Sequence, residues 1–191
     1  MSREDVIRKI GEYEPANEQE TEDKALMLSW LEHNDDAFSR ENAIAHVTVS
    51  GWVVNKDRSK VLMVYHNVYD SWSWLGGHAD GETDLLSVAV KEVKEESGLA
   101  EVHPVSEDIM SLEVLTVDGH EKKGRYVSSH LHMNVTFCWK LIPSRRCLSR
   151  LTRTATWPGS PRRKLWGNPQ SRGLWSEFTR SSLRKASEAW I

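Results

Sequence analysis

Three glutamates in the segment KEVKEESGL, residues 91–99, have the spacing most suggestive of chemistry in this 191-residue chain. Glu92, Glu95 and Glu96 stand at i, i+3 and i+4, so on a helix their side chains share one face. Three carboxylates this close repel each other unless a cation compensates, and hard oxygen ligands suit Mg²⁺ or Mn²⁺. A solvated acidic helix surface explains the same spacing, so the spacing alone leaves both interpretations open.

A glycine-rich segment precedes these glutamates. Gly76 and Gly77 are adjacent, and Gly81 and Glu82 follow them closely. Glycine lets a backbone approach a ligand closely, and a backbone carbonyl there can add a metal ligand. A strand, a glycine-rich loop and an acidic helix in this order favour a site for phosphate and metal.

At these residues the sequence resembles a known family. The stretch GGHADGETDLLSVAVKEVKEESGL, residues 76–99, is similar to the Nudix box, G-x5-E-x7-R-E-U-x-E-E-x-G-U, in which U is aliphatic. The matching residues are Gly77, Glu92, Val93, Glu95, Glu96, Gly98 and Leu99.

Two positions depart from the family pattern. Lys91 replaces the family's arginine, which keeps the charge but loses the bidentate fork. Glu82 lies one position before the family's first glutamate, and we take it as the equivalent residue.

The resemblance implies a Nudix hydrolase that cleaves a nucleoside diphosphate linked to another moiety, with Mg²⁺ or Mn²⁺ as cofactor. The implied catalytic residues are Glu82, Lys91, Glu92, Glu95 and Glu96. The implied metal ligands are Glu92, Glu95, Glu96 and the carbonyl of Gly76, and the implied substrate-binding residues are Trp72, Trp74, Gly76 and Gly77. Candidates for the general base outside the box are Asp118, His120 and Glu121.

Two pairs of side chains have a second interpretation. Trp72 or Trp74 could stack on a base, but packing of the loop against the sheet explains them equally well. His130 and His132 alternate on a predicted strand and so face one side; they could bind metal or substrate, but we favour a hydrogen-bonded pair within the sheet.

The elements that must position these residues follow from the hydrophobic period. Helices are predicted at 4–12, 23–33 and 84–97, strands at 46–54, 60–66, 110–117 and 126–137, and polar or glycine-rich loops at 72–83 and 118–125. Thr83 or Asp84 could cap the third helix, and Gly98 could end it. These elements fit the α/β class, and the resemblance implies a Nudix α/β/α sandwich with a mixed sheet, preceded by short N-terminal helices.

The charge is divided unevenly along the chain. Residues 1–138 contain 13 basic and 26 acidic residues, whereas residues 139–191 contain 12 basic and 2 acidic ones. We predict an N-terminal helical segment at 1–40, a Nudix core at 41–137 and an aberrant, poorly packed basic tail at 138–191.

The tail reads as an out-of-frame translation. In the subgroup of bacterial Nudix proteins that the preceding segment resembles, we expect LLEAD, a VKPDENS segment and an SEPWF segment here. A frame that begins one nucleotide earlier permits such strings. The permitted strings are LLEAD, VKPDENSNVAW and EAVGKSTEPWF. The fixed G of each Trp codon forces Glu from Trp139–Lys140, Ala from Trp157–Pro158 and Gly from Trp166–Gly167, and all three agree with these strings.

Other function classes are less well supported. An enzyme similar to isopentenyl-diphosphate isomerase would need a catalytic cysteine, which residues 1–137 lack. A non-catalytic nucleotide-binding domain need not keep three repelling carboxylates, and the frameshift interpretation removes the argument for a nucleic-acid-binding arm. We expect a cytoplasmic protein with a small nucleotide as its ligand, a homodimer as the candidate assembly, and neither membrane nor nucleic acid as a partner.

Overall fold

The computed structural model describes residues 1–55, 61–66, 71–99, 101–122 and 124–140, and three short strands between 156 and 167. In these residues the helices are α1 (Arg3–Glu12), α2 (Glu18–His33) and α3 (Leu85–Ser97). The strands are β1 (Ala45–Val54), β2 (Val61–His66), β3 (Ser71–Ser73), β4 (Leu75–His78), β5 (His103–Pro104), β6 (Ser111–Val117), β7 (His120–Lys122), β8 (Arg125–Val127), β9 (His130–Lys140), β10 (Thr156–Trp157), β11 (Ser160–Pro161) and β12 (Lys164–Gly167).

The N-terminal helices begin at side-chain caps. Ser2 and Asp5 form a reciprocal capping box at the start of α1. Asn17 caps α2 by accepting a hydrogen bond from the Glu20 amide at 2.9 Å. Helix α2 therefore begins five residues before the predicted start, because its first turn is polar and shows no apolar period.

Strand β1 is the centre of a mixed sheet. It pairs in parallel with β9 and antiparallel with β2 and β4, and β6 pairs antiparallel with β9. The outer edge of β6 faces α2, where Asp23 accepts a hydrogen bond from the Val114 amide at 3.1 Å. This contact protects an edge strand, which would otherwise expose unpaired backbone groups.

The two predicted loops contain strands. The segment 72–83 includes most of β3 and all of β4, and the segment 118–125 includes β7 and the start of β8. The loop predictions were wrong here because glycine-rich or charged segments carry no apolar alternation, and these short strands form through pairing with a neighbour. The strand predicted at 126–137 is divided in the structure. Residues 126 and 127 belong to β8, which pairs with β7, and β9 begins at His130.

One hydrophobic core lies between the sheet and the helices. It joins Ile10 of α1 and Leu31 of α2 to Val47 of β1 and Val93 of α3. A Cβ atom at Gly51 would lie 2.2 Å from Cγ2 of Val93, so the missing side chain lets α3 pack directly on β1. The core therefore includes side chains from both sides of residue 40.

Strand β9 continues beyond the predicted boundary at 137/138. Trp139 is fully buried in the main core, and β9 pairs with β1 as far as Lys140. Strand β12 pairs antiparallel with β2. Most of the segment that we predicted to be out of frame lies outside the described residues. No helix in the described residues is long and apolar enough to cross a membrane.

Candidate active site

Helix α3 presents the three glutamates as the sequence predicts. Its N-cap is Asp84, which accepts a hydrogen bond from the Ser87 amide at 3.2 Å, and Gly98 ends it with a left-handed φ of 67°. Buried residues such as Val93 face the core, so the polar face is directed away from it. We call Glu92, Glu95 and Glu96 the α3 carboxylates; Glu92 and Glu96 are half-buried and Glu95 is exposed.

The glycine pair of β4 lies directly against the α3 carboxylates. The Gly76 amide donates a hydrogen bond to Oε2 of Glu96 at 3.0 Å. A Cβ atom at Gly77 would lie 2.4 Å from Cδ of Glu92, so only glycine leaves room for this carboxylate. The pairing of β4 with β1 fixes both glycines in this position.

The surroundings of Glu92 favour its neutral form. Burial raises the pKa of the Glu92 carboxyl above its usual value, and the negative charge of Glu95 raises it further. The positive charges of Lys91 and Arg40 oppose this shift. The net result is a half-buried carboxylate whose negative charge Lys91 and Arg40 compensate only in part.

Arg40 is a residue that sequence reasoning missed. Its guanidinium forms a forked ion pair with the Asp80 carboxylate, and it interacts electrostatically with Glu92. The contact depends on the return of the chain after α2 toward the β4 turn, where Phe38 accepts a hydrogen bond from the Gly81 amide at 2.9 Å. The sequence offered no signal for this pair, because the fold brings together two residues that lie 40 positions apart.

Two predicted catalytic residues are at the surface. Glu82 is exposed in the turn after β4, and in the described part of the chain its side chain has no hydrogen bond or ion pair. Lys91 is exposed on α3 and acts on Glu92 and Asp80 through its charge. The structure thus relates Lys91 to Glu92 through its charge and places Glu82 at the exposed turn.

The two tryptophans pack against the sheet. Trp72 and Trp74 are half-buried beside a small hydrophobic cluster that includes Trp52 and Met63. The indole nitrogen of Trp74 donates a hydrogen bond to Oγ of Ser50 at 2.8 Å. This arrangement corresponds to the packing alternative, and a role in substrate binding stays a prediction.

A buried polar network lies on the sheet face opposite α3. Asn134 accepts a hydrogen bond from Ser50 at 2.8 Å and donates one to Oε2 of Glu113 at 2.7 Å. Thr136 also donates to that oxygen, at 3.0 Å. Burial raises the pKa of Glu113 to about 8, against the effect of these hydrogen bonds.

His130 and His132 lie side by side, as strand alternation predicts, and two further histidines join them. The ring centroids of His46 and His78 are each 5.0 Å from that of His132. We call these four residues the histidine cluster. Burial lowers the pKa of His78 to about 4 and that of His132 to about 3, and neighbouring positive groups contribute.

The base candidates lie on or beside the β7–β8 hairpin. Asp118 and Glu121 are exposed, whereas His120 is partly buried, with its ring centroid 6.4 Å from that of His130. The structure thus places one candidate beside the histidine cluster, and the role of each stays a prediction.

Several solved structures resemble this chain. A MutT protein from Methanosarcina mazei Go1 is 14% identical over 78% of this chain and 97% of that chain, with a TM-score of 0.50. An ADP-ribose pyrophosphatase from Streptococcus suis is 20% identical over 76% and 93% of the two chains, with a TM-score of 0.48. A NUDIX-family hydrolase from Clostridium perfringens is 17% identical over 74% and 96%, with a TM-score of 0.46.

The similarity to the MutT protein confirms the predicted α/β architecture. No protein-family model matches the sequence, and no curated protein is significantly similar to it.

Proposed function

We propose that this chain, which has the Nudix fold, hydrolyses a nucleoside diphosphate linked to another moiety and uses Mg²⁺ or Mn²⁺. The observation that carries the proposal is the fit between β4 and α3. Gly76 holds Glu96 by a backbone hydrogen bond, and the missing side chain of Gly77 makes room for Glu92. A solvated acidic surface would not require either contact.

The residues present fit a divalent cation. Glu92, Glu95, Glu96 and the Gly76 carbonyl would supply hard oxygen ligands, and a cation would favour the ionised form of Glu92, whose pKa burial and Glu95 raise. When bound, such an ion polarises phosphoryl oxygens and lowers the pKa of a bound water.

The remaining side chains act around these ligands. Lys91 and Arg40 favour the ionised form of Glu92, and Asp80 holds Arg40 in place. Glu82, at the exposed turn, is proposed to orient a ligand or a water. The base that accepts the proton from the attacking water is proposed to be one of the candidates near the β7–β8 hairpin: Asp118, His120 or Glu121.

The substrate is proposed to be a small nucleotide, as the resemblance to the Nudix box implies. A panel of ADP-ribose, NADH, dinucleoside polyphosphates and oxidised deoxynucleoside triphosphates, with and without Mg²⁺, tests the class directly. Isomerisation of isopentenyl diphosphate, or nucleotide binding without turnover, would instead support one of the two alternatives. Strong, salt-dependent DNA or RNA binding would support a nucleic-acid-binding role.

The first variant to test is Glu96→Gln. It keeps the shape but removes the charge that a metal ion needs, so we expect kcat/KM to fall at least about 100-fold, or roughly 2.7 kcal/mol of transition-state stabilisation. Glu22→Gln, at an exposed position of α2, is the matched control and should retain full activity. Full activity of the Glu96 variant would disprove the metal assignment.

We also propose that most of residues 138–191 are an out-of-frame reading caused by one missing nucleotide near the codons for Phe137 and Cys138. The three codons forced by Trp139, Trp157 and Trp166 support this proposal. The nucleotide sequence tests it, because restoring one base must produce the expected strings. A frame-restored protein should be compared with this chain in the substrate panel.

A further inference from the structure

The histidine cluster is built by neighbouring strands of the sheet. His46 on β1 is the register partner of His132 on the parallel strand β9, and His130 lies two residues before His132 on the same face. His78 on β4 adjoins them, with its centroid 5.1 Å from that of His46. The cluster therefore rests on rigid paired strands.

Three of these rings converge on one point. One nitrogen from each of His46, His130 and His132 lies within 4.8 Å of the other two. The Nε2 atoms of His130 and His132 are 3.2 Å apart. Two nitrogens bound tetrahedrally to one Zn²⁺ at about 2.0–2.1 Å would be about 3.3 Å apart. The spacing of the His130–His132 pair is close to this value, and the nitrogen of His46 lies within 4.8 Å of both.

Backbone carbonyls orient two of the rings. Nδ1 of His46 lies 3.0 Å from the Asn42 carbonyl oxygen, and Nδ1 of His130 lies 2.8 Å from that of Ser128. A carbonyl can only accept, so each Nδ1 carries the proton and each neutral ring keeps its lone pair on Nε2. A backbone carbonyl behind a histidine is also the usual second partner of a metal-bound ring.

His46 supplies an independent indication of a missing ligand. Its side chain is 4% exposed, and its Nε2 has no hydrogen-bond partner among the described residues. Buried polar atoms are normally paired, so an unpaired lone pair needs an explanation. A hydrogen bond between His130 and His132 would explain those two rings but would leave His46 Nε2 without a partner.

We propose that Nε2 atoms of His46, His130 and His132 bind one borderline transition-metal ion, of which Zn²⁺ is the first candidate, at a site separate from the α3 carboxylates. Imidazole nitrogens suit Zn²⁺, whereas Mg²⁺ and Mn²⁺ favour carboxylates and carbonyls. Water takes the fourth position, next to His78. When the ion enters, the hydrogen bond between His130 and His132 breaks. The proton on Nε2 of His132 is then exchanged through solvent for one on its Nδ1, so the ring stays neutral.

The test is zinc titration of the full-length, chelator-stripped protein by calorimetry, in excess Mg²⁺ so that the carboxylates are occupied. We expect one Zn²⁺ per chain. Loss of an outer partner of a metal ligand already costs about 10–100-fold in affinity. Replacing a ligand, in His130→Gln or His132→Gln, should therefore weaken binding at least about 100-fold. His103→Gln, an exposed histidine on β5, is the matched control and should bind normally.

A second measurement uses the wild-type protein, so it does not depend on whether the variants fold. Co²⁺ in the wild-type protein should give the intense visible absorption of a tetrahedral site, and Zn²⁺ should displace it. Three results would overturn the proposal. They are a Co²⁺ spectrum that is absent or has only the weak bands of an octahedral site, no zinc binding, and unchanged zinc binding in both histidine variants. Glu96→Gln should keep its zinc, so failure of the hydrolase proposal and failure of this one are distinguishable; zinc lost only in that variant would place the ion at the carboxylates.

Discussion

The α3 carboxylates and the histidine cluster are two polar centres that adjoin the same strand, β4. The first centre gathers negative charges, whereas the second disfavours positive charge. Gly77 faces the carboxylates, whereas His78, the next residue, faces the histidines on the other side of the sheet. Glu92 is half-buried among like charges that Lys91 and Arg40 compensate in part. Burial lowers the pKa of His46, His78 and His132 and so disfavours their charged forms. One strand can thus separate a centre suited to a hard cation from one suited to a borderline cation.

The largest effect is expected from Gly77→Ala, which tests whether the carboxylates can be disturbed without disturbing the histidine cluster. The added Cβ would lie 2.4 Å from Cδ of Glu92, so either the carboxylate or β4 must move. We expect kcat/KM to fall at least about 100-fold, while zinc binding at the histidine cluster persists, because His78 is not one of the three proposed ligands. Steady-state kinetics and zinc calorimetry on the same preparation measure both.

The control for this variant is Gly11→Ala. Gly11 lies near the end of α1, and a Cβ there would meet no atom within 4 Å. Alanine is favoured over glycine in a helix by about 1 kcal/mol, so the melting temperature should stay unchanged or rise slightly. If Gly77→Ala behaves like Gly11→Ala, the close approach of Glu92 to β4 has no role in activity.

The helix that carries the carboxylates could be predicted because its signals are local. Leu85, Val88, Ala89 and Val93 have helical spacing, and the Asp84 cap and the Gly98 end lie where the sequence predicted caps. The short strand β4 was missed because pairing with β1, rather than its own sequence pattern, makes it a strand. Local periodicity thus predicted the scaffold of the site but not the strand that completes it.

The partners of the site could not be predicted for a related reason. Arg40 reaches Asp80 and Glu92 only because the chain after α2 returns to the β4 turn. Likewise, His46 and His78 join His130 and His132 through the register of three strands. Contacts between distant parts of a chain depend on sheet order, which one sequence without its fold does not reveal.

A smaller effect is expected in the pH dependence of stability. It distinguishes the histidine cluster from Glu113, which is buried on the same sheet face. Burial raises the pKa of Glu113 to about 8, so the folded chain holds a proton that the unfolded chain releases near pH 4.5, and stability is lost as pH rises between these values. The lowered pKa values of His78 and His132 act in the opposite direction. Their stabilising effect is lost as pH falls below about 6.5, where the unfolded histidines take up protons.

Glu113→Gln should therefore remove the loss of stability with rising pH between about 4.5 and 8, and above pH 6.5 the histidines no longer offset this loss. With at most about 1.4 kcal/mol per pH unit from pH 6.5 to about 8 and about 2–4 °C per kcal/mol, we expect the wild-type melting temperature to fall by up to roughly 4–8 °C between pH 6.5 and 9. The variant should lose most of that slope but keep the decrease below pH 6.5. Glu107→Gln, at an exposed position, should behave like the wild type. Identical slopes in all three proteins would contradict protonation of Glu113 in the fold.

The smallest effect is expected from Arg40→Gln, which tests how the protein compensates the carboxylates without metal. Its ion pair with Asp80 is half-exposed, so the loss of stability should stay within about 1 kcal/mol. The charge of Arg40 favours ionised Glu92, so its removal should raise the pKa of Glu92 and shift the acidic limb of the pH–activity profile to higher pH, with a less than about 10-fold loss at neutral pH. Arg40→Lys keeps the charge and should restore the profile. An unchanged limb in Arg40→Gln would mean that Lys91 alone sets the ionisation of Glu92, and the contribution of the N-terminal segment to this centre would then be structural only.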